Sequence, residues 1–152
     1  MQLGELLTSS ATQQGADIAS KKRVLEVASE MLATSVNGTD ADTIFSGLLN
    51  RERLGSTGLG SGVGIPHCRI AGADKPAAAL LTLTKPIDFD AIDSQPVDLI
   101  CALIVPDDGN DEHLKTLASL AELFSNPKAL NELRQSPNSD ALFNNAQSLS
   151  RA

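Results

Sequence analysis

His67 is one of two histidines in the chain, and it closes the run Gly60-Ser61-Gly62-Val63-Gly64-Ile65-Pro66. Glycines at 58, 60, 62 and 64 let the backbone take positive φ and approach a ligand. Pro66 fixes its own φ and biases Ile65 towards an extended conformation, so the imidazole leaves a stiff backbone. A histidine held this way, beside N–H groups able to form an anion nest, suits a phosphoryl acceptor. The same residues also read as a loose loop with a structural or solvated histidine. Cys68 is a second candidate nucleophile, although nothing in its neighbourhood depresses its pKa. His113 falls in the first turn of a helix, where free N–H groups and a positive partial charge favour an anion. Arg51 and Arg53 precede the glycine run, and a guanidinium holds phosphate oxygens in a two-pronged grip that lysine lacks. Asp90 and Asp93, with Ser94, read as loop acids and form no carboxylate pair.

Nucleotide-binding templates fail on this segment. A dinucleotide fingerprint requires a third glycine where Val63 or Ile65 stands, and a phosphate loop requires Gly-Lys-Ser/Thr, which is absent.

These residues need a scaffold, and the patterning predicts one. Ser20 caps a helix with Val24, Val27, Ala28, Met31 and Leu32 inward; Lys21, Lys22 and Arg23 form a solvated basic run at its start. Asn37-Gly38 ends it, and Asp40 caps a second helix carrying Ile44, Phe45, Leu48 and Leu49. Strands are expected over 63–70, 77–84 and 97–105. The last is apolar on both faces, as in a central strand covered by helices on each side. Asn110 or Asp111 caps a helix with Leu114, Leu117, Ala118, Ala121 and Phe124 inward. Pro127 opens a further helix, and Ser136-Pro137-Asn138 turns into a final one bearing Leu142, Phe143, Ala146 and Leu149. The expected fold class is α/β: a single-domain sandwich over 1–152, a small mixed β-sheet flanked by helices on both faces. Residues 1–17 read as a lead-in with few signals.

Composition narrows the partners. The chain has 152 residues, a formal charge of −7, and neither Trp nor Tyr. Excess negative charge and missing stacking platforms argue against nucleic acid and favour basic protein surfaces. Cys68 and Cys101 form neither a disulfide framework nor a zinc set and read as reduced thiols. The longest apolar run, Leu99 to Val105, is too short to span a membrane, and the N-terminus lacks the pattern of a signal peptide. A cytoplasmic domain is expected.

Arg51-Glu52-Arg53-Leu54-Gly55-Ser56-Thr57-Gly58-Leu59-Gly60, continuing to Ile65-Pro66-His67, resembles the phosphorylation-site signature of IIA proteins of the phosphoenolpyruvate-dependent phosphotransferase system. The likeness is to the fructose/mannitol-type family, most closely its nitrogen-regulatory branch. It extends through Ser20-Lys21-Lys22-Arg23, Pro86 to Asp93, Gln95-Pro96-Val97-Asp98 and His113-Leu114, roughly from residue 18 onward. The resemblance implies that His67 is the phosphorylated histidine, His113 the second active-site histidine and Arg51 the active-site arginine, with Arg53 a lesser candidate. Cys68 stands where many members carry glycine. No cofactor or metal is implied. The implied donor is an HPr-like phosphocarrier protein, and the implied role is to regulate target proteins by phosphorylation state. The alternative is a sugar-transport IIA that hands phosphate to a IIB domain.

Overall fold

The computed structural model describes residues 2–107 and 112–151. Within them six helices and six strands occur in the order α1 (Leu3–Leu6), β1 (Leu7–Ala16), α2 (Lys21–Ala33), α3 (Ala41–Leu54), β2 (Gly58–Gly60), β3 (Val63–Gly64), β4 (His67–Ile70), β5 (Ala77–Ile87), β6 (Val97–Pro106), α4 (Glu112–Phe124), α5 (Pro127–Arg134) and α6 (Ser139–Arg151).

The doubly apolar strand sits where its composition requires. β6 is central: β5 pairs antiparallel along one edge, and β3 then β4 pair parallel along the other. Side chains alternate across its two faces. Ile100, Ala102 and Ile104 join α2 and α3 in one core, with Val24, Leu32, Ile44 and Leu48. Leu99, Cys101, Leu103 and Val105 enter the opposite core against α4, α5 and α6, with Leu120, Phe124, Leu133 and Leu142. The result is the expected helix-flanked mixed sheet.

The helix caps follow from short polar side chains at helix starts. Ser20 accepts from the Arg23 backbone N–H, and Asp40 from that of Thr43. Asn126 accepts at the start of α5, with Pro127 in its first turn. The cap expected at Asn110 or Asp111 lies outside the described residues.

Several expectations need correction. Residues 2–17 are part of the fold: β1 pairs parallel with β5 at the sheet edge, and Leu3, Leu6 and Leu7 are buried against the second core. Thr8, Ser9 and Ser10 are exposed there, which hides the strand from a search for apolar alternation. The 63–70 strand is two short strands interrupted at Ile65-Pro66. Proline has no N–H to donate, but its carbonyl still accepts from Leu103 N at 2.9 Å, so β4 resumes in register with His67 opposite Leu103. β5 continues past residue 84 to Ile87. Lys21 is not solvated: its ammonium is 2.8 Å from the Glu52 carboxylate, with only 20% of the side chain exposed. Lastly, α4 is rotated from its expected setting. Phe124 is buried as expected, but Thr116 and Leu120 are buried with it, while Leu114 is 58% exposed.

Candidate functional site

His67 opens β4 beside the C-terminal end of α3 and the start of α4. These three elements bring Arg51, His67 and His113, the three residues singled out from the sequence, around one cleft of about 260 Å³. Arg69, Cys68 and Leu114 also line it. Arg51 and His67 reach a second depression of about 370 Å³ with Leu59, Ile92 and Leu117. The rotation of α4 matters here. Leu114, Leu117 and Ala121, expected in the core, form walls of these two hollows.

The imidazole of His67 is fixed by one bond. Its Nδ1 lies 2.7 Å from the Ile65 carbonyl oxygen, which can only accept, so Nδ1 carries the proton. Nε2 therefore keeps its lone pair. Burial is the largest influence on the ring and lowers its pKa; the Ile65 bond raises it, Arg51 lowers it, Glu52 raises it and His113 lowers it. Burial dominates, so the neutral form that carries a nucleophilic nitrogen is favoured.

Arg51 donates from Nη1 to the Gly55 carbonyl at 2.8 Å, which binds the guanidinium to the end of its own helix. Arg53 does not reach the cleft. It is exposed, donates to Asn50 Oδ1, and borders a hollow with Lys21, Lys22 and Leu49. Arg69, which sequence reasoning passed over, lies two residues after His67 on β4. Its Nη2 is 2.8 Å from His113 Nε2. Nη2 is also 3.2 Å from Nδ1 of the same ring, so the guanidinium lies against both nitrogens of His113. The i, i+2 spacing from His67 was the available signal, because alternate strand residues share a face.

Cys68 lines the cleft, but burial pushes its thiol up to about 12, which favours the protonated thiol over the thiolate. Its sulfur would lie 2.9 Å from a Cβ placed on Gly47, so that glycine admits Cys68 against α3. The glycine run serves as a hairpin rather than an anion nest. Gly60, Ser61 and Gly62 turn the chain with φ of 98°, 57° and 79°. Ser61 N is used by Asp93 Oδ2, and Gly58 N by Ser56 Oγ. A Cβ on Gly58 would sit 2.8 Å from Ala91 Cα, so the close approach of the Asp90–Asp93 loop requires glycine there.

The sequence matches the family described as phosphoenolpyruvate-dependent sugar phosphotransferase system, EIIA 2, over residues 5–147. The chain belongs to this family. It is 41% identical over 143 residues to a nitrogen regulatory protein of Pseudomonas aeruginosa, covering 94% of this chain and 93% of the relative. It is 37% identical over 144 residues to the nitrogen regulatory protein of Escherichia coli K12, covering 94% and 88%. The crystal structure of the nitrogen regulatory protein IIA-Ntr from Neisseria meningitidis superposes with a TM-score of 0.87 at 36% identity, covering 94% of this chain and 97% of that one. The match to the EIIA 2 family begins at residue 5, which corrects the expectation that likeness starts near residue 18 and agrees with β1 being part of the sheet. The EIIA 2 family makes the protein a component of a phosphotransferase system, and its similarity runs to the nitrogen regulatory members. Among the described residues no helix is long and apolar enough to cross a membrane.

Proposed function

We propose that this protein is a histidine phosphocarrier of the nitrogen-regulatory type, which accepts a phosphoryl group on Nε2 of His67 from an HPr-like donor. The observation that carries the reading is the 2.7 Å contact between His67 Nδ1 and the Ile65 carbonyl inside a cleft shared with Arg51 and His113. In the transfer, the Nε2 lone pair forms a bond to phosphorus as the bond from phosphorus to the donor nitrogen breaks. The bonding pair returns to the donor imidazole. Positive charge appears on the His67 ring, and the Ile65 carbonyl is already placed to stabilise it. Negative charge spreads over three equatorial oxygens, so positioning and electrostatics are the main catalytic requirements. Arg51 and His113 meet that need from the cleft wall.

Regulation fits the surface better than a small-molecule site. Leu59, Ile92 and Leu114, which line the two hollows, are 44%, 84% and 58% exposed. Exposed apolar side chains around a reactive group suit a protein partner. A phosphoryl group on His67 adds charge at the centre of this face, so a partner packed on the bare imidazole separates the two states. The similarity to nitrogen regulatory proteins supports this reading over delivery of phosphate to a sugar-transport IIB domain.

The test pairs two measurements. Label from a phosphorylated HPr-like donor should enter the wild-type protein and be acid-labile, and His67→Ala should take none. Immobilised phosphorylated and unphosphorylated proteins should differ at least about tenfold in retention of a non-phosphotransferase partner, a difference of about 1.4 kcal/mol. Efficient transfer to a sugar-specific IIB with no state-selective partner decides for the transport reading.

A further inference from the structure

We propose that Glu52 is a positioning residue for phosphoryl transfer, acting through Thr57 and Ile65 to fix the tautomer and aim of His67. The proposal rests on His67 being the acceptor. Glu52 is on the last turn of α3, next to Arg51, yet its carboxylate is only 3% exposed. Each carboxylate oxygen is engaged. Oε2 is 2.8 Å from Lys21 Nζ and accepts from Thr57 N at 3.2 Å, and Oε1 accepts from the Thr57 hydroxyl.

From Thr57 the connection runs to the nucleophile. The Thr57 carbonyl accepts from Ile65 N at 3.0 Å, and the Ile65 carbonyl accepts from His67 Nδ1 at 2.7 Å. Glu52 thus closes the loop that follows α3 and sets the strand end that faces Ile65. Lys21 adds a second anchor. Its ammonium also donates to the Phe89 carbonyl at 3.2 Å and sits 4.6 Å from the centre of the Phe89 ring. The same carbonyl accepts from Ser56 Oγ at 2.7 Å. A buried carboxylate needs such partners to be tolerated. Three of these groups (Lys21, Ser56 and Thr57) hold the loop that His67 depends on. Glu52 touches no reacting atom; it governs where the Ile65 carbonyl points. Outer partners that orient a metal-bound histidine typically cost about 10–100-fold in affinity or activity when removed, and a histidine oriented for attack is held by the same kind of bond.

The test compares Thr57→Val, Thr57→Ser and Glu52→Gln by phosphoryl transfer rate, by the ¹⁵N signals of the His67 ring and by melting temperature. Wild type should show the Nδ1–H tautomer. Thr57→Val should lose at least about tenfold in transfer rate and populate Nε2–H, while Thr57→Ser, which keeps the hydroxyl, retains both. Glu52→Gln should follow Thr57→Val; should it fail to fold, the valine and serine pair still decides. A wild-type tautomer in Thr57→Val overturns the proposal, whether transfer is unchanged or slows only in step with a lower melting temperature. A wild-type protein that takes no phosphoryl group on His67 overturns the underlying reading instead, and the tautomer comparison separates the cases because it needs no transfer.

Discussion

As the proposed phosphoryl acceptor, His67 combines two opposed demands: it must be neutral to attack, and it must accept positive charge once it has attacked. Burial serves the first by lowering its pKa below the ordinary 6.5, and the Ile65 carbonyl serves the second. The sign of the pH dependence follows. With the folded-state value depressed, the neutral ring persists below pH 6.5, so the rate of phosphoryl uptake should hold through that point and fall only at more acid pH. A midpoint at or above 6.5 in the rate profile contradicts the assignment. The same shift gives His67 a stabilising contribution present above the unfolded value and lost as pH falls through the folded one, because the unfolded chain binds that proton more readily. Arg51 carries a separate prediction. Arg51→Lys keeps the charge but loses the planar pair of donors, so transfer should slow roughly a hundredfold, as for loss of one transition-state donor. Transfer at the wild-type rate with Arg51→Lys removes the guanidinium from the mechanism.

Among the elements, α4 shows how patterning was read correctly as a helix and wrongly as a face. The segment offers two apolar stripes, Leu114–Leu117–Ala121 and Leu120–Phe124, and sequence periodicity weighs them alike. Packing in the second core selects Leu120 and Phe124; Leu117 is partly buried against that core, and Leu114 and Ala121 are left to wall the candidate site. Leu120→Ala should therefore cost about 2–5 kcal/mol in denaturant unfolding, as a cavity in a closed core does. Leu114→Ala should stay within about 0.5 kcal/mol of wild type. Equal losses at both positions contradict the rotation. Glu52 was equally hidden. It continues the Ile44–Leu48 spacing into the buried stripe of α3, but a charged residue beside two arginines reads as solvated. Its burial depends on Lys21, distant in sequence, and on Thr57, five residues on in the loop after α3.

For the whole molecule, what was legible tracks what is local. Ser20, Asp40 and Pro127 start helices through contacts within three residues, and β6 declared its central place by being apolar on both faces. The polar edge strand β1 was not legible, because it exists through pairing with a distant strand, whereas the break at Ile65-Pro66 follows from a proline visible in the sequence. For the candidate site, the Pro-His segment and Arg51 carried a visible signature, whereas Arg69 and the Glu52 loop emerged only once the chain was folded. A single hydrogen bond nevertheless links the architecture to the proposed chemistry, since the bonds from sheet, loop and α3 converge on Ile65, whose carbonyl holds His67 Nδ1. The most direct test is ¹⁵N and ³¹P NMR of the histidine-labelled protein before and after phosphorylation by an HPr-like donor. The predicted result is a ring that keeps its proton on Nδ1 throughout and gains phosphorus on Nε2 of His67. Phosphorus on Nδ1 of His67, on His113 or on Cys68 would contradict it.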